Sequence, residues 1–314
     1  MTSSIEVLDK NLQMMANVSF SHLLQIGIKY NIFKALSKKP NGGLESIEVQ
    51  NTELLERFIE TLNKLGIIEN TSLGVMLKKL PQEYIAPDDY SFSDWMMSLE
   101  RVYFMMDYAF IRRDHPYVSM DFDKDADFWD IRLNSKFASL YRSIIDKVAG
   151  ISDGKSVIDI GCGSVSPVEI GKQAGPNGYY MGIDYSAGLL EIARERVKEG
   201  GYDWVNLKEI DAHLIRPSRK YDVAVMSFVL EYLKDRGRVI HRVLDSLESG
   251  GKLIIVEPFR DNFEKISALE FFEGLVGDFV GYPSTEEVKR AILDNGFNVD
   301  VKTLGKSVMV VTKH

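Results

Sequence analysis

The sequence predicts an α/β fold with a largely parallel sheet over residues 151–314, preceded by a mainly helical domain over residues 1–95 and a helical linker over residues 96–150. Two observations carry this prediction. After residue 151, short apolar runs alternate with amphipathic helical patterns, which is typical of a parallel sheet covered on both faces. Before residue 95, apolar residues recur at helical spacing. A chain of 314 residues is also long enough for two domains.

Apolar runs in the second half of the chain predict the strands of this sheet. Five of them cover residues 156–160, 179–183, 205–210, 221–226 and 252–256. Amphipathic helices are predicted between them, and one of these carries the apolar residues from Val239 to Leu247 and is broken by Gly250-Gly251. Two more runs, at 298–301 and 308–311, predict a closing antiparallel pair, which brings the expected number of strands to seven.

The first 95 residues have the pattern of helices followed by a hairpin. Apolar residues from Leu54 to Leu62 repeat at helical spacing, and Gly66 fits a helix C-cap. Two short strand-like runs follow at 67–70 and 73–77. Helices followed by a hairpin favour a winged helix.

The charge of this predicted winged helix argues against DNA binding. Residues 1–90 contain 9 Lys and Arg against 11 Asp and Glu, whereas contacts to phosphates need cations. The whole chain has a net charge of −8, which also disfavours nucleic acid and anionic membrane surfaces as partners. A dimerisation role for residues 1–95 is therefore preferred.

Cysteine content and hydropathy argue against disulfide-bonded, zinc-binding, secreted and membrane-spanning proteins. A single cysteine, Cys162, excludes an internal disulfide and a Cys-based zinc cluster, and no metal site is predicted. The N-terminus lacks the pattern of a secretory signal. No apolar run approaches the ~20 residues that a membrane span needs. The sequence therefore predicts a cytoplasmic protein with no membrane partner.

Acidic residues and glycines stand where the first three predicted strands end. Asp159, Gly161 and Gly163 form an Asp-x-Gly-x-Gly turn after the first strand, while Asp184 and Asp211 end the second and third. Ligands of open α/β sheets bind outside the carboxyl ends of the strands. Glycines let the backbone approach a ligand closely, and carboxylates at the next strand ends can accept hydrogen bonds from a ribose or an adenine amino group.

A dinucleotide-binding turn is the competing interpretation. Its fingerprint requires a third glycine, but Ser166 stands at that position after Gly161 and Gly163. The carboxylate of Asp159, two positions before the first glycine, also suits a cationic ligand better than a pyrophosphate. S-adenosylmethionine (SAM), which carries a sulfonium and an ammonium group, fits this turn.

On these motifs the chain resembles the class I SAM-dependent methyltransferases, and over nearly its whole length the O-methyltransferase family with an N-terminal winged helix. The resemblance implies a Rossmann-like seven-stranded SAM-binding domain, dimerisation through residues 1–95, and a linker that contributes to the substrate pocket. It places Asp159, Gly161 and Gly163 in the SAM loop, Asp184 at the ribose and Asp211 on the adenine side. Its remaining cofactor-binding positions are Cys162, Tyr185, Ala212, Ser227 and Phe228.

The sequence departs from the family at two positions. Val165 replaces the last glycine of the usual loop, and Glu231 stands where many members place a histidine base. Glu231 has three open roles: a general base if burial raises its pKa, a group that orients the acceptor, or a helix-start acid without a catalytic part. Glu257 matches a family acid that flanks the base. His115, in the linker, is a further catalytic candidate.

The resemblance implies methyl transfer from SAM to a small aromatic, quinone-like or polyketide-like molecule. Transfer to oxygen is favoured, and transfer to nitrogen or carbon stays open. One alternative is a non-catalytic SAM-binding regulator that uses its winged helix on DNA, which the acidic N-terminal residues disfavour. A nicotinamide-dependent oxidoreductase is disfavoured by the missing third glycine.

Overall fold

The structure is a computed structural model that describes residues 2–30, 32–38, 49, 51–71, 74–77, 93–111, 120–294 and 296–314. The chain divides into two compact units. The first contains Met1–Asn11, Asp121–Phe263 and Asp278–His314, and the second contains Leu12–Met120 and Glu264–Gly277. Each unit is therefore built from segments that are distant in the sequence.

The described residues form helices and strands in the following order. The helices are α1 (Thr2–Lys29), α2 (Ile32–Lys38), α3 (Thr52–Lys64), α4 (Ser93–Ile111), α5 (Ala126–Leu133), α6 (Lys136–Ala149), α7 (Ser166–Glu169), α8 (Ala187–Gly200), α9 (Arg236–Asp245), α10 (Ile266–Glu273) and α11 (Thr285–Leu293). The strands are β1 (Ile68–Thr71), β2 (Gly74–Leu77), β3 (Ser156–Ile160), β4 (Tyr179–Asp184), β5 (Val205–Glu209), β6 (Tyr221–Ser227), β7 (Leu247–Val256), β8 (Val299–Leu304) and β9 (Val308–Lys313).

A seven-stranded sheet with the order β5-β4-β3-β6-β7-β9-β8 forms the core of the first unit. The five neighbouring strands β5, β4, β3, β6 and β7 are parallel. Strand β9 runs antiparallel to β7, and β8 runs antiparallel to β9. The predicted Rossmann-like seven-stranded fold is thereby confirmed. The chain reverses its direction of strand addition between β3 and β6, and such a reversal opens a crevice at the carboxyl ends of the two strands.

Strand β7 begins earlier than the sequence pattern predicts. Leu247 was predicted to lie in the preceding helix, but this is wrong, because α9 ends at Asp245 and Leu247 pairs with Tyr221 as the first residue of the strand. Gly250 has a φ of +83° within β7, and the pairing register shifts in this region. The two glycines therefore allow an irregular strand to continue. Leu247 is fully buried in the same core as the apolar residues of α9. For this reason it continued their helical spacing in the sequence although it belongs to the strand.

The second unit contains α2, α3, α4, α10 and the antiparallel hairpin β1–β2. Phe58 on α3 is fully buried, and its ring contacts Phe110 of α4 and Phe271 of α10 at centroid distances of 6.0 and 5.4 Å. Gly66 has the positive φ expected of a residue that follows a helix. The predicted helical N-terminal region is confirmed, while its assignment as a winged helix stays a prediction.

None of the helices in the described part of the chain is long and apolar enough to cross a membrane.

Candidate functional site

The turn after β3 is tight enough to need glycine. Gly161 and Gly163 have φ values of +71° and +57°, a region that side chains disfavour. A Cβ atom on Gly161 would lie 2.7 Å from a methyl carbon of Val229. The backbone N–H groups of Gly161 and Cys162 both donate to the carbonyl of Ile183, at 2.8 and 3.0 Å. This turn is thus fixed against the end of β4.

Asp184, the last residue of β4, holds the same turn through its side chain. One carboxylate oxygen accepts a hydrogen bond from the N–H of Gly163 at 2.8 Å, and the other accepts from the N–H of Ser186 at 3.0 Å. Burial raises the pKa of Asp184, and these backbone donors oppose the rise. Asp184 is therefore held in one orientation at the end of its strand.

Asp159 lies beneath the turn and is completely buried. Its Oδ2 accepts hydrogen bonds from the hydroxyls of Ser166 at 2.6 Å and Tyr180 at 2.7 Å. Its Oδ1 has no hydrogen-bond partner among the residues that the structure describes. Burial raises the pKa of Asp159 to about 6, and the charge of Asp184 adds to the rise.

Side chains of residues 121–133, which precede α6 and β3 in the chain, form hydrogen bonds to the turns after β3 and β4. Asp130 of α5 forms a bidentate ion pair with Arg196 of α8, at 2.5 and 2.7 Å, and accepts a hydrogen bond from the hydroxyl of Ser164 at 2.6 Å. Asp123 accepts a hydrogen bond from the hydroxyl of Ser186 at 2.8 Å. We call residues 121–133 the strap, because they join both turns to α8.

A cavity of about 290 Å³ opens at the carboxyl ends of these strands. Six of the ten predicted cofactor-binding residues line it: Gly161, Asp184, Tyr185, Asp211, Ala212 and Phe228. The other lining residues are Phe122, Ile183, Ile210, His213, Val229, Tyr232, Leu233, Lys234 and Asp278.

Four predicted cofactor-binding residues do not line the cavity. Asp159 is buried under the turn, and Gly163 is part of the turn and donates its N–H to Asp184. The thiol of Cys162 is buried, and a Cβ on Gly182 would lie only 2.8 Å from its sulfur, which places the thiol against β4. Ser227 is the last residue of β6.

Phe228 follows β6 in a left-handed conformation, with φ at +51°. Its N–H donates to the carbonyl of Val256 at 2.9 Å, and its ring packs on Tyr141 at a centroid distance of 4.8 Å. Such strain in a bulky residue persists only where neighbours over-determine the conformation. Here the hydrogen bond and the ring contact together hold Phe228 at the wall of the cavity.

Asp211 and His213 form a pair at the cavity. Oδ1 of Asp211 accepts a hydrogen bond from the N–H of His213 and lies 2.8 Å from its ring nitrogen Nδ1. Burial raises the pKa of Asp211, but the hydrogen bonds from His213 outweigh this effect, so the pKa lies below its usual value. Asp211 is thus an ionised acceptor at the cavity.

Two of the three predicted catalytic residues are buried away from the cavity lining. Glu231 and Glu257 are 3% and 0% exposed. Oε1 of Glu257 accepts hydrogen bonds from the N–H groups of Val229 and Leu230, at 3.0 and 2.9 Å. Burial raises the pKa of Glu257, and a hydrogen bond from Glu231 opposes the rise. The third candidate, His115, lies outside the described residues.

Several lining residues were missed by the sequence analysis. Ile183 directly precedes Asp184, and Ile210 directly precedes Asp211. The pattern of an acid at a strand end, which predicted the two aspartates, could therefore also have placed these isoleucines at the cavity. Phe122 and Asp278 lie outside any motif, and only the folded chain brings them to the cavity. His213 stands two residues after Asp211, and no predicted motif includes it.

The charges and the apolar lining of the cavity suit a cation-bearing ligand with a flat ring. The lining contains three carboxylates, those of Asp184, Asp211 and Asp278, against the single ammonium of Lys234. Such a balance repels a pyrophosphate. Apolar side chains make up much of the remaining wall, and their carbon surfaces fit an aromatic base. The residues present therefore fit SAM. No group of side chains that could hold a metal ion occurs in the described part of the chain.

Comparison with known proteins agrees with this geometry. Residues 151–291 match the family model described as a methyltransferase domain. The uncharacterized protein MJ0906 of Methanocaldococcus jannaschii is 30% identical over 325 aligned positions, which cover 98% of this chain and 87% of the relative. The chain belongs to the methyltransferase family. This methyltransferase is a SAM-dependent enzyme, and SAM is its cofactor.

Two further comparisons cover the catalytic half and the fold. The methyltransferase is 28% identical to the demethylmenaquinone methyltransferase of Listeria welshimeri over 147 residues, which are 45% of this chain and 62% of that protein. Its fold is similar to the structure of the citrinin polyketide synthase CMeT domain, with a TM-score of 0.69 at 10% identity over 99% of this chain and 94% of that one.

Proposed function

We propose that this methyltransferase transfers a methyl group from SAM to an oxygen of a small, planar, apolar acceptor of the aromatic, quinone or polyketide type. The observation that carries the proposal is the acidic and apolar cavity at the switch point of the sheet. Transfer to a nitrogen or a carbon of the same acceptor class is the alternative.

The proposed cofactor contacts take their roles from the family resemblance, and the position of the residues at the cavity supports them. Asp184 accepts hydrogen bonds from the ribose hydroxyls, and Asp211 lies on the adenine side. Gly161 gives the close backbone approach, with Gly163 and Asp159 supporting the turn from behind. When bound, SAM supplies a methyl group on a positively charged sulfur. Since this methyl is already activated, the protein can contribute mainly by positioning and by excluding water.

The proposed acceptor class is supported by a chain of aromatic rings that begins at the cavity. Phe122 stacks on Trp129 at 4.5 Å, Tyr232 contacts Phe279 at 5.9 Å, and Phe279 contacts Tyr282 at 5.4 Å. Aromatic side chains favour flat apolar ligands. The name of the Listeria relative, a demethylmenaquinone methyltransferase, is consistent with a quinone-like acceptor.

For Glu231 and Glu257 we favour a positioning role over that of a general base. Two carboxyl groups in contact and out of water cannot both carry a charge without a large cost, so one proton is shared between them. Glu257 fastens the turn after β6 through two backbone N–H groups, and Glu231 donates to Glu257. Neither carboxylate lines the cavity, so neither is placed to take a proton from an acceptor bound there.

We further propose a homodimer through the N-terminal residues. Helix α4 begins at the end of this region and continues into the adjoining linker, where it exposes Phe104, Tyr108 and Ile111, which are 72%, 51% and 49% accessible. Their spacing puts them on one face of the helix, and an apolar face of this kind is typical of an interface. The cytoplasmic location and the absence of a nucleic acid partner stay predictions from the sequence.

Calorimetry with S-adenosylhomocysteine (SAH) and with NAD tests the cofactor assignment. We expect SAH to bind at one site per chain and NAD not to bind. Asp184→Ala should weaken SAH binding at least tenfold, because the ribose hydroxyls lose a charged acceptor. Asp245→Ala is the matched control, since Asp245 is exposed and does not line the cavity. NAD binding without SAH binding would overturn the proposal.

Turnover with a panel of acceptors tests the proposed reaction. Phenols, quinols, amines and β-dicarbonyl compounds are each incubated with SAM, and released SAH and the methylated product are measured by mass spectrometry. We expect O-methylated phenols or quinols. If the products are methylated only on nitrogen or only on carbon, the proposed transfer to oxygen is wrong and the enzyme is an N- or a C-methyltransferase.

A further inference from the structure

Three aromatic rings from separate parts of the first unit form one wall of the cavity. Phe122 comes from the strap, Tyr185 follows β4, and Tyr232 lies in the turn after β6. The ring of Phe122 meets Tyr232 at 5.1 Å and Tyr185 at 5.5 Å, both in edge-to-face geometry. Its other contact, the stack on Trp129, holds it from behind. We call Phe122, Tyr185 and Tyr232 the aromatic wall.

Carboxylates surround the aromatic wall. Burial raises the pKa of Tyr185, and the charges of Asp278, Asp184, Asp121 and Asp123 raise it further, in that order. Four negative charges therefore act on this one phenol. Aromatic faces combined with carboxylates are the chemistry by which proteins bind sulfonium and ammonium cations.

Asp278 is the carboxylate best placed to act on a ligand. Asp184 accepts from the N–H groups of Gly163 and Ser186, and Asp123 accepts from the hydroxyl of Ser186. Asp121 accepts from two N–H groups of its own turn. Within the described residues, no hydrogen bond or ion pair engages Asp278, which lines the cavity and is exposed.

We propose that Asp278 and the aromatic wall make the cavity selective for the charged sulfonium of SAM over the neutral thioether of SAH. This inference rests on the proposed cofactor site. The two ligands share adenine, ribose and amino acid groups and differ by one methyl group and one positive charge. A contact that depends on this charge therefore strengthens binding of SAM and leaves binding of SAH unchanged.

Such selectivity has a consequence for turnover. After methyl transfer the charge leaves the sulfur, and the attraction to Asp278 and to the ring faces is lost with it. The product then binds more weakly than SAM, so fresh SAM displaces it more readily and product inhibition is limited. Because Asp278 is exposed, salt should screen its contribution.

Calorimetric titration of SAM and SAH into the wild-type chain and Asp278→Asn tests the proposal. Asparagine tolerates the left-handed backbone of residue 278, which has a φ of +62°, so the variant should fold. We expect SAM binding to weaken about fivefold and SAH binding to stay within about twofold. In the wild type, high salt should reduce the preference for SAM. Phe122→Leu should reduce the preference in the same way.

Asp211→Asn is the matched control, because it removes a carboxylate from the adenine side, which the two ligands share. It should weaken both by the same factor and leave their ratio unchanged. An unchanged ratio of SAM to SAH affinity in Asp278→Asn would overturn the inference, as would equal weakening of both ligands. If the wild-type chain binds neither ligand, the proposed cofactor site itself fails. Thermal unfolding of each variant shows whether a lost preference reflects a loss of folding.

Discussion

Ring nitrogen Nδ1 of His213 lies 2.8 Å from carboxylate oxygen Oδ1 of Asp211. The other ring nitrogen, Nε2, accepts a hydrogen bond from the N–H of Asp235 at 3.3 Å. A nitrogen that accepts cannot carry the proton of a neutral imidazole, so these contacts assign the proton to Nδ1. His213 therefore donates to Asp211 and fixes the direction of its carboxylate at the cavity.

We predict that His213→Ala weakens SAH binding about fivefold, since a single hydrogen bond that orients a partly exposed carboxylate contributes about 1 kcal/mol. His213→Asn is the matched variant, because its side-chain N–H can replace Nδ1, and it should bind SAH within about twofold of the wild type. Calorimetry measures both. Equal affinity of the alanine variant and the wild type would show that His213 does not orient Asp211.

The pair of buried glutamates gives the second prediction. Glu231→Gln keeps a donor to Glu257, so the methyl-transfer rate should change by no more than about threefold, whereas loss of a general base typically costs ~10²–10⁴ in rate. Glu257→Leu removes the acceptor of two backbone N–H groups and should destabilise the protein by about 2–4 kcal/mol. The rate is measured as SAH released with an acceptor found in the panel, and stability by chemical denaturation. A rate loss of a hundredfold or more in Glu231→Gln, with SAM affinity unchanged, would restore the base role.

The third prediction concerns the dependence of stability on pH. Since the pKa of Asp159 is raised from 3.8 to about 6 in the folded protein, ionisation favours the unfolded chain. The stability linked to this group is present below about pH 4 and is lost as the pH rises through about 6. Relative to Asp159→Asn, the wild-type chain should lose about 3 kcal/mol of unfolding free energy over this window. Denaturant titrations across the range measure this difference.

Asp222 provides the control for the pH experiment. Burial raises its pKa, but hydrogen bonds from the backbone N–H and hydroxyl of Ser156 and an ion pair with Lys155 bring the pKa below its usual value. Its contribution is therefore present above its unfolded pKa and lost on acidification, so Asp222→Asn should change stability in the opposite direction. Parallel pH curves for wild type and Asp159→Asn would contradict the assignment of a raised pKa to Asp159.

The fourth prediction separates backbone strain from steric fit at the glycine turn. An alanine at position 161 would adopt a positive φ, and its Cβ would lie 2.7 Å from a methyl carbon of Val229. An alanine at position 201 would also adopt a positive φ, of +63°, but its Cβ would have no atom within 4 Å. Gly201→Ala should cost about 1 kcal/mol and leave SAH binding unchanged. Gly161→Ala should cost more and weaken SAH binding at least tenfold. Equal behaviour of the two variants in thermal unfolding and calorimetry would show that the turn has no role at the cavity.

The fifth prediction tests the proposed dimer. Phe104→Glu places a charge on the exposed apolar face of α4, and we expect light scattering to give the mass of one chain instead of two. Leu214, which is 62% exposed in the first unit, provides the control, and Leu214→Glu should leave the dimer intact. A wild-type chain that is monomeric over the whole concentration range would refute the dimer.

The sheet and the acids at its strand ends could be predicted because both depend on short-range patterns. Apolar runs gave the strands, and the acid that follows a run is placed at the carboxyl edge by the parallel topology. Asp278 could not be found this way, because it follows α10 in a loop and no local pattern relates it to Asp184. No local pattern relates Glu231 to Glu257 either, since their pairing depends on the side-by-side placement of β6 and β7; only the family resemblance suggested that Glu257 flanks Glu231.

The division of each unit among distant segments sets the order in which the chain can fold during synthesis. Asp9 accepts hydrogen bonds from the backbone N–H of Lys306 and the hydroxyl of Ser307, so these contacts cannot form until Ser307 has been synthesised. In the second unit, the ring contact of Phe58 with Phe271 cannot form until Phe271 has been synthesised. Domains usually complete folding in the order of their synthesis. Here neither unit is complete before its last segment has been synthesised, and we expect the nascent chain to expose apolar surface, and so to depend on chaperones, until that point.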